Sequence, residues 1–71
     1  MIFGLALQQA GIDVIRVSAS HSKFGPRIKY ALVPSESDRQ RLHDWATERG
    51  IPCESIEIAT PEQIREWESL S

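Results

Sequence analysis

Cys53, His21 and His43 are the side chains whose types most readily combine into a nucleophile and its base. A thiol attacks as the thiolate, and it ionises near neutral pH only beside a cation or an imidazole. Sequence separation neither joins nor parts these three residues. Cys53 follows Pro52 at the start of an extended segment, where a small half-buried hydrophobe is the ordinary role for cysteine. A small enzyme using Cys53 therefore ranks last among the functional readings. Metal binding has no better footing, because the two histidines and one cysteine lack the paired close spacing of zinc ligands. His43 and Asp44 are adjacent on an expected helix and so point about 100° apart. No glycine-rich phosphate loop or nucleophile elbow occurs. The expectation is a non-catalytic chain with no cofactor and no metal.

The segment SASHSKFGPRIKY, residues 18–30, offers different chemistry. Arg16, Lys23, Arg27 and Lys29 stand against Asp13 alone in residues 1–34, a net charge of +3. Residues 35–71 carry nine acids and four arginines, a net charge of −5, so the overall −2 conceals a polarised chain. Arginine forks and serine hydroxyls both donate to phosphate oxygens, so Arg16, Ser18, Ser20, Arg27 and Lys29 on one strand face would suit a phosphate backbone. Phe24 adds a stacking contact for an unpaired base, and His21 becomes a further anion contact when it charges below pH ~6.5. Against this, lysine and arginine on an edge hairpin also serve to discourage unwanted strand pairing, and four cations are few for nucleic acid. The acidic half suggests a protein partner. Glu54, Glu57, Glu62, Glu66 and Glu68 would together present a negative face to a basic protein.

The elements that must position these groups follow from period and punctuation. Ile2, Leu5, Ala6 and Gln9 recur at helical spacing and Gly11 supplies a helix end, giving a short first helix. Phe3 and Leu7 project away from that stripe, which makes them candidates for a homodimer interface. IDVIRVSAS alternates, with Ile15, Val17 and Ala19 on one face and Val14, Arg16, Ser18 and Ser20 on the other. RIKYALV does likewise, with Ile28, Tyr30 and Leu32 inward and Arg27, Lys29, Ala31 and Val33 outward. KFGP between them is a turn, so residues 12–33 read as a β-hairpin, with Tyr30 assigned to the core.

Ser35 or Ser37 caps a second helix running to Arg49, its inner stripe Leu42, Trp45, Ala46 and Arg49, ended by Gly50. ESIEI is a short strand with Ile56 and Ile58 inward. TPEQ at 60–63 is the signature of a capped helix start, with Ile64, Trp67 and Leu70 inward thereafter. The second strand, second helix and third strand form a βαβ unit, placing strand three parallel to strand two in a mixed sheet, while the pattern leaves open whether strand three pairs with strand one or with strand two. The whole is a small single α/β (α+β) domain over residues 1–71, ordered α-β-β-α-β-α, with a three-stranded mixed sheet and helices on one face in two layers.

At 71 residues, 41% hydrophobic and 25% charged, the chain is ordinary globular material with a small core. The apolar opening lacks a basic leader and its apolar run is too short for a signal peptide or membrane span. One cysteine cannot form an internal disulfide, which fits a reducing, cytoplasmic setting. The leading expectation is an interaction module acting as regulator or inhibitor of a larger protein or nucleoprotein partner, with a homodimer possible. Direct nucleic-acid binding by the basic hairpin is the alternative.

Overall fold

A computed structural model describes residues 3–70 and the side chains of residues 4–70. Three helices and a three-stranded mixed sheet follow one another in the order α1 (Phe3–Gln9), β1 (Arg16–Ser22), β2 (Gly25–Val33), α2 (Glu36–Glu48), β3 (Ile56–Ile58), α3 (Pro61–Ser69). The sheet runs β1-β2-β3, with β1 antiparallel and β3 parallel to the central strand. The parallel step needs a crossover, and α2 supplies it.

The core lies between the sheet and the first two helices. Leu7 from α1, Ile12, Ile28, Ala31 and Val33 from β2, and Leu42, Trp45 and Ala46 from α2 form one buried cluster. Two helix ends depend on glycine: Gly11 and Gly50 have φ of 77° and 67°, values that a side chain disfavours and that turn the chain from helix to strand. Ser35 is the cap of α2 and accepts a hydrogen bond from the Asp38 amide. Thr60 and Gln63 form the full reciprocal capping box of α3, with Pro61 in its first turn.

The first helix turns a different face inward from the one its spacing suggests. Leu7 is completely buried and Ala6 of the expected stripe packs against the core, but Leu5 is 52% exposed and Gln9 is exposed; Ile2 and the side chain of Phe3 lie outside the described residues. A helix of seven residues that is apolar almost all round has no unique inward stripe, so packing against Ile12 and the sheet decides it. Leu7 is consequently unavailable for contact between copies.

The second strand also departs from simple alternation. Ser18 pairs with Tyr30 but Ala19 pairs with Ile28, so Lys29 is an extra residue and the ladder carries a bulge there. The bulge reverses the phase. Ile28 enters the core together with Ala31 and Val33, while Tyr30 and Leu32 go to the opposite face. Leu32 is nonetheless buried, and it lines a cleft with Ile15, Arg16, Gln63, Trp67 and Leu70. Thus α1 and α2 cover the Ala31 face, and α3 approaches the sheet around Leu32. No residue of α3 is fully buried. Ile64 and Trp67 are half-buried, whereas Leu70 is 87% exposed and Ile58 45% exposed, so neither of the latter two packs inward as the pattern suggests.

Candidate functional site

The β1–β2 hairpin is the most distinctive surface. A two-residue turn, Lys23–Phe24, joins Ser22 to Gly25, and the Phe24 amide donates to Ser22 Oγ at 3.2 Å. Gly25 takes a φ of 106° immediately after the turn, which only glycine adopts without strain. Ala19 and residues 21–24 are exposed, so the hairpin tip stands clear of the helices, consistent with an elongated outline of 37 × 21 × 20 Å. Phe24 is 89% exposed, and the Lys23 ammonium sits 5.2 Å from its ring centroid. This cation–π contact holds the ring in solvent as a ready surface feature.

The cationic groups around the tip are not equivalent. Ser20 and Arg27 are cross-strand partners, and Arg16 and Ser18 alternate on the same side of β1. Arg27, however, bridges to Glu54 at 2.8 Å, both side chains about half exposed. Glu54 reaches it because the segment before β3 lies beside β2, fixed by the Ile28 amide donating to the Pro52 carbonyl and the Glu54 amide donating to the Ile28 carbonyl. Glu57 accepts a hydrogen bond from the Tyr30 hydroxyl at 3.3 Å. Burial pushes the Tyr30 phenol above its ordinary value, the Glu57 carboxylate adds to the rise, and Arg16 opposes it. Glu54 and Glu57 are therefore neighbours of the basic hairpin, and they do not belong with Glu62, Glu66 and Glu68 on α3. Sequence reading missed these contacts because the partners lie 27 residues apart, joined only by the parallel register.

The α3 surface is different in character. Glu62, Glu66 and Leu70, spaced by four, line up along one exposed stripe, and Glu66 and Leu70 border the cleft that holds Trp67. Glu68 is exposed on another side of the helix.

Cys53 is half-buried against the core, and burial pushes its thiol above the ordinary value, away from an activated nucleophile. His43 is exposed, 3.7 Å from Asp44, and Asp44 also accepts from the Gln40 amide. Among the described residues no group of three or more histidine, cysteine or acidic side chains is placed to hold a metal ion. No helix among them is long and apolar enough to cross a membrane.

A buried carboxylate that the sequence did not single out ties two segments distant in sequence together. Asp38 accepts from the Asp13 amide at 3.2 Å and from the Ser35 hydroxyl at 2.7 Å, anchoring the loop before β1 to the start of α2. Its role is structural, holding the approach to the hairpin in place. The chain matches no family model, no curated protein and no solved structure.

Proposed function

We propose that this domain is a non-catalytic interaction module that regulates or inhibits a larger protein or nucleoprotein partner, gripping a basic surface of that partner through α3. The observation that carries this reading is Leu70, 87% exposed at the end of a helix none of whose residues is buried, in line with Glu62 and Glu66. An apolar anchor beside carboxylates complements a partner patch with an apolar centre and a lysine- or arginine-rich rim. Residues 61–70 carry Glu62, Glu66 and Glu68 against Arg65, a net charge of −2 that draws a basic partner toward the same helix. The lone thiol of Cys53 suits a reducing, cytoplasmic setting.

Direct nucleic-acid binding through the hairpin is the second reading, favoured by Lys23 and the exposed ring of Phe24. It is the weaker of the two because Arg27, one of its four cations, is engaged by Glu54. Capture of partners from the native cell, with and without nuclease, separates them. Under the protein-partner reading, capture survives nuclease and is lost in Glu62→Lys/Glu66→Lys. Capture that vanishes with nuclease and persists in that variant overturns it in favour of nucleic acid.

A further inference from the structure

A cavity of about 300 Å³ opens at the start of β1, walled by α1, by residues 13–17 and by Trp67 of α3. Its apolar lining is Val14, Ile15, Val17 and the half-buried Trp67, and its polar lining is Gln8, Asp13 and Arg16. Gly4 leaves the α1 wall without a side chain, although neither a positive φ nor crowding calls for glycine there: a Cβ added to it would meet no atom within 4 Å. Apolar walls with a few polar groups are the make-up of small-molecule sites, and this volume falls at the lower end of their range.

The charges on this cavity select its ligand. Asp13 is the one acid in its lining and Arg16 the one base, while Glu66 borders the neighbouring cleft instead. Among the described residues neither Asp13 nor Arg16 belongs to an ion pair, so the two line one space while standing farther apart than direct pairing allows. The backbone under both charges is fixed, because the buried Asp38 carboxylate holds the Asp13 amide and Arg16 starts the β1 ladder opposite Leu32. We infer that the cavity binds a free α-amino acid with an apolar side chain. Its carboxylate accepts from the Arg16 guanidinium, its ammonium donates to the Asp13 carboxylate, and its side chain lies against Val14, Val17 and the Trp67 ring. An anion alone would meet Asp13 as a like charge, and a cation alone would meet Arg16 in the same way. A small molecule of both signs answers both. No residue of this site belongs to the Glu62, Glu66 and Leu70 stripe, and the inference stands independently of the partner assigned to α3.

Titration of the full chain with L-leucine and with L-phenylalanine, followed by proton–nitrogen correlation NMR, tests this. Either amino acid is expected to shift the Trp67 indole and the amides of residues 13–17 saturably, in the millimolar range or below, the strength open to a ligand of this size. Asp13→Asn and Arg16→Gln, both at exposed positions, are each expected to weaken leucine binding about fivefold or more. Altered ligands assign each charge. N-acetyl-leucine, which lacks the ammonium, should bind more weakly than leucine and lose nothing further in Asp13→Asn. Leucine amide, which lacks the carboxylate, should bind more weakly and lose nothing further in Arg16→Gln. No saturable shift with either amino acid, shifts that leave Trp67 unmoved, or N-acetyl-leucine or leucine amide binding as tightly as leucine overturns the proposal. The ligand comparisons are made on the wild type, so they decide even if a variant fails to fold.

Discussion

Cys53 and Tyr30 hold their protons longer than usual, and burial is the leading cause for both. For Cys53 the consequence is chemical inertness, since reactivity follows the thiolate fraction and access. A disulfide reagent at neutral pH should react with the native protein more slowly than with the urea-unfolded chain; equal rates would contradict the packing of Cys53 against the core. For Tyr30 the consequence is a pH effect of definite sign. The folded state holds the phenolic proton more tightly than the unfolded chain, so the contribution is present below pH ~10 and is lost as pH rises through the folded pKa. Stability should therefore decline on the alkaline side. Glu57→Gln, which removes the carboxylate but keeps a polar partner, should move the phenol's ultraviolet titration to lower pH. A titration curve unmoved by that change would mean that Glu57 does not act on Tyr30.

The elements differ in how firmly they are held. Helix α3 relies on its capping box, because Thr60, Pro61 and Gln63 organise its first turn while none of its residues is buried. Thr60→Ala should cost about 1 kcal/mol, seen first as faster amide exchange confined to residues 61–69. The loop before β1 relies on Asp38, and Asp38→Ala should cost about 1–3 kcal/mol in urea unfolding because it strands the Asp13 amide and the Ser35 hydroxyl together. Stability unchanged in Asp38→Ala would show that the carboxylate ties nothing. Local punctuation made these caps readable in advance, along with the element order and the hairpin turn, because each depends on residues close in sequence; the parallel direction of the third strand followed from its helical crossover, but its pairing with β2 did not. The phase of β2 was not readable, since a one-residue bulge at Lys29 leaves no mark in composition yet reverses which of Ile28 and Tyr30 reaches the core. The inward face of α1 was equally hidden, because Leu5 and Leu7 are alike in type and only the sheet chooses between them.

At the scale of the whole molecule, folding blunts the charge separation that the sequence displays. The hairpin's +3 is counted along the chain, but the parallel placement of β3 brings Glu54 to Arg27 and Glu57 to Tyr30, lowering the positive potential on the flank nearest the third strand. Arg16, Lys23 and Lys29 then dominate the hairpin's field, spread from the start of β1 through the middle of β2 to the tip. The bridge between Arg27 and Glu54 is half-exposed and adds little to stability, so its main effect is on what the surface attracts. Glu54→Gln should accordingly leave unfolding nearly unchanged while freeing Arg27 for solution anions. On a heparin column or in low-salt titration with single-stranded DNA, the variant should be retained longer than the wild type. The slope of log affinity against log salt should steepen by up to about one, the increment of a single added phosphate contact. Retention equal to that of the wild type would mean that Glu54 does not restrain Arg27, and the polarity counted along the chain would then survive folding intact.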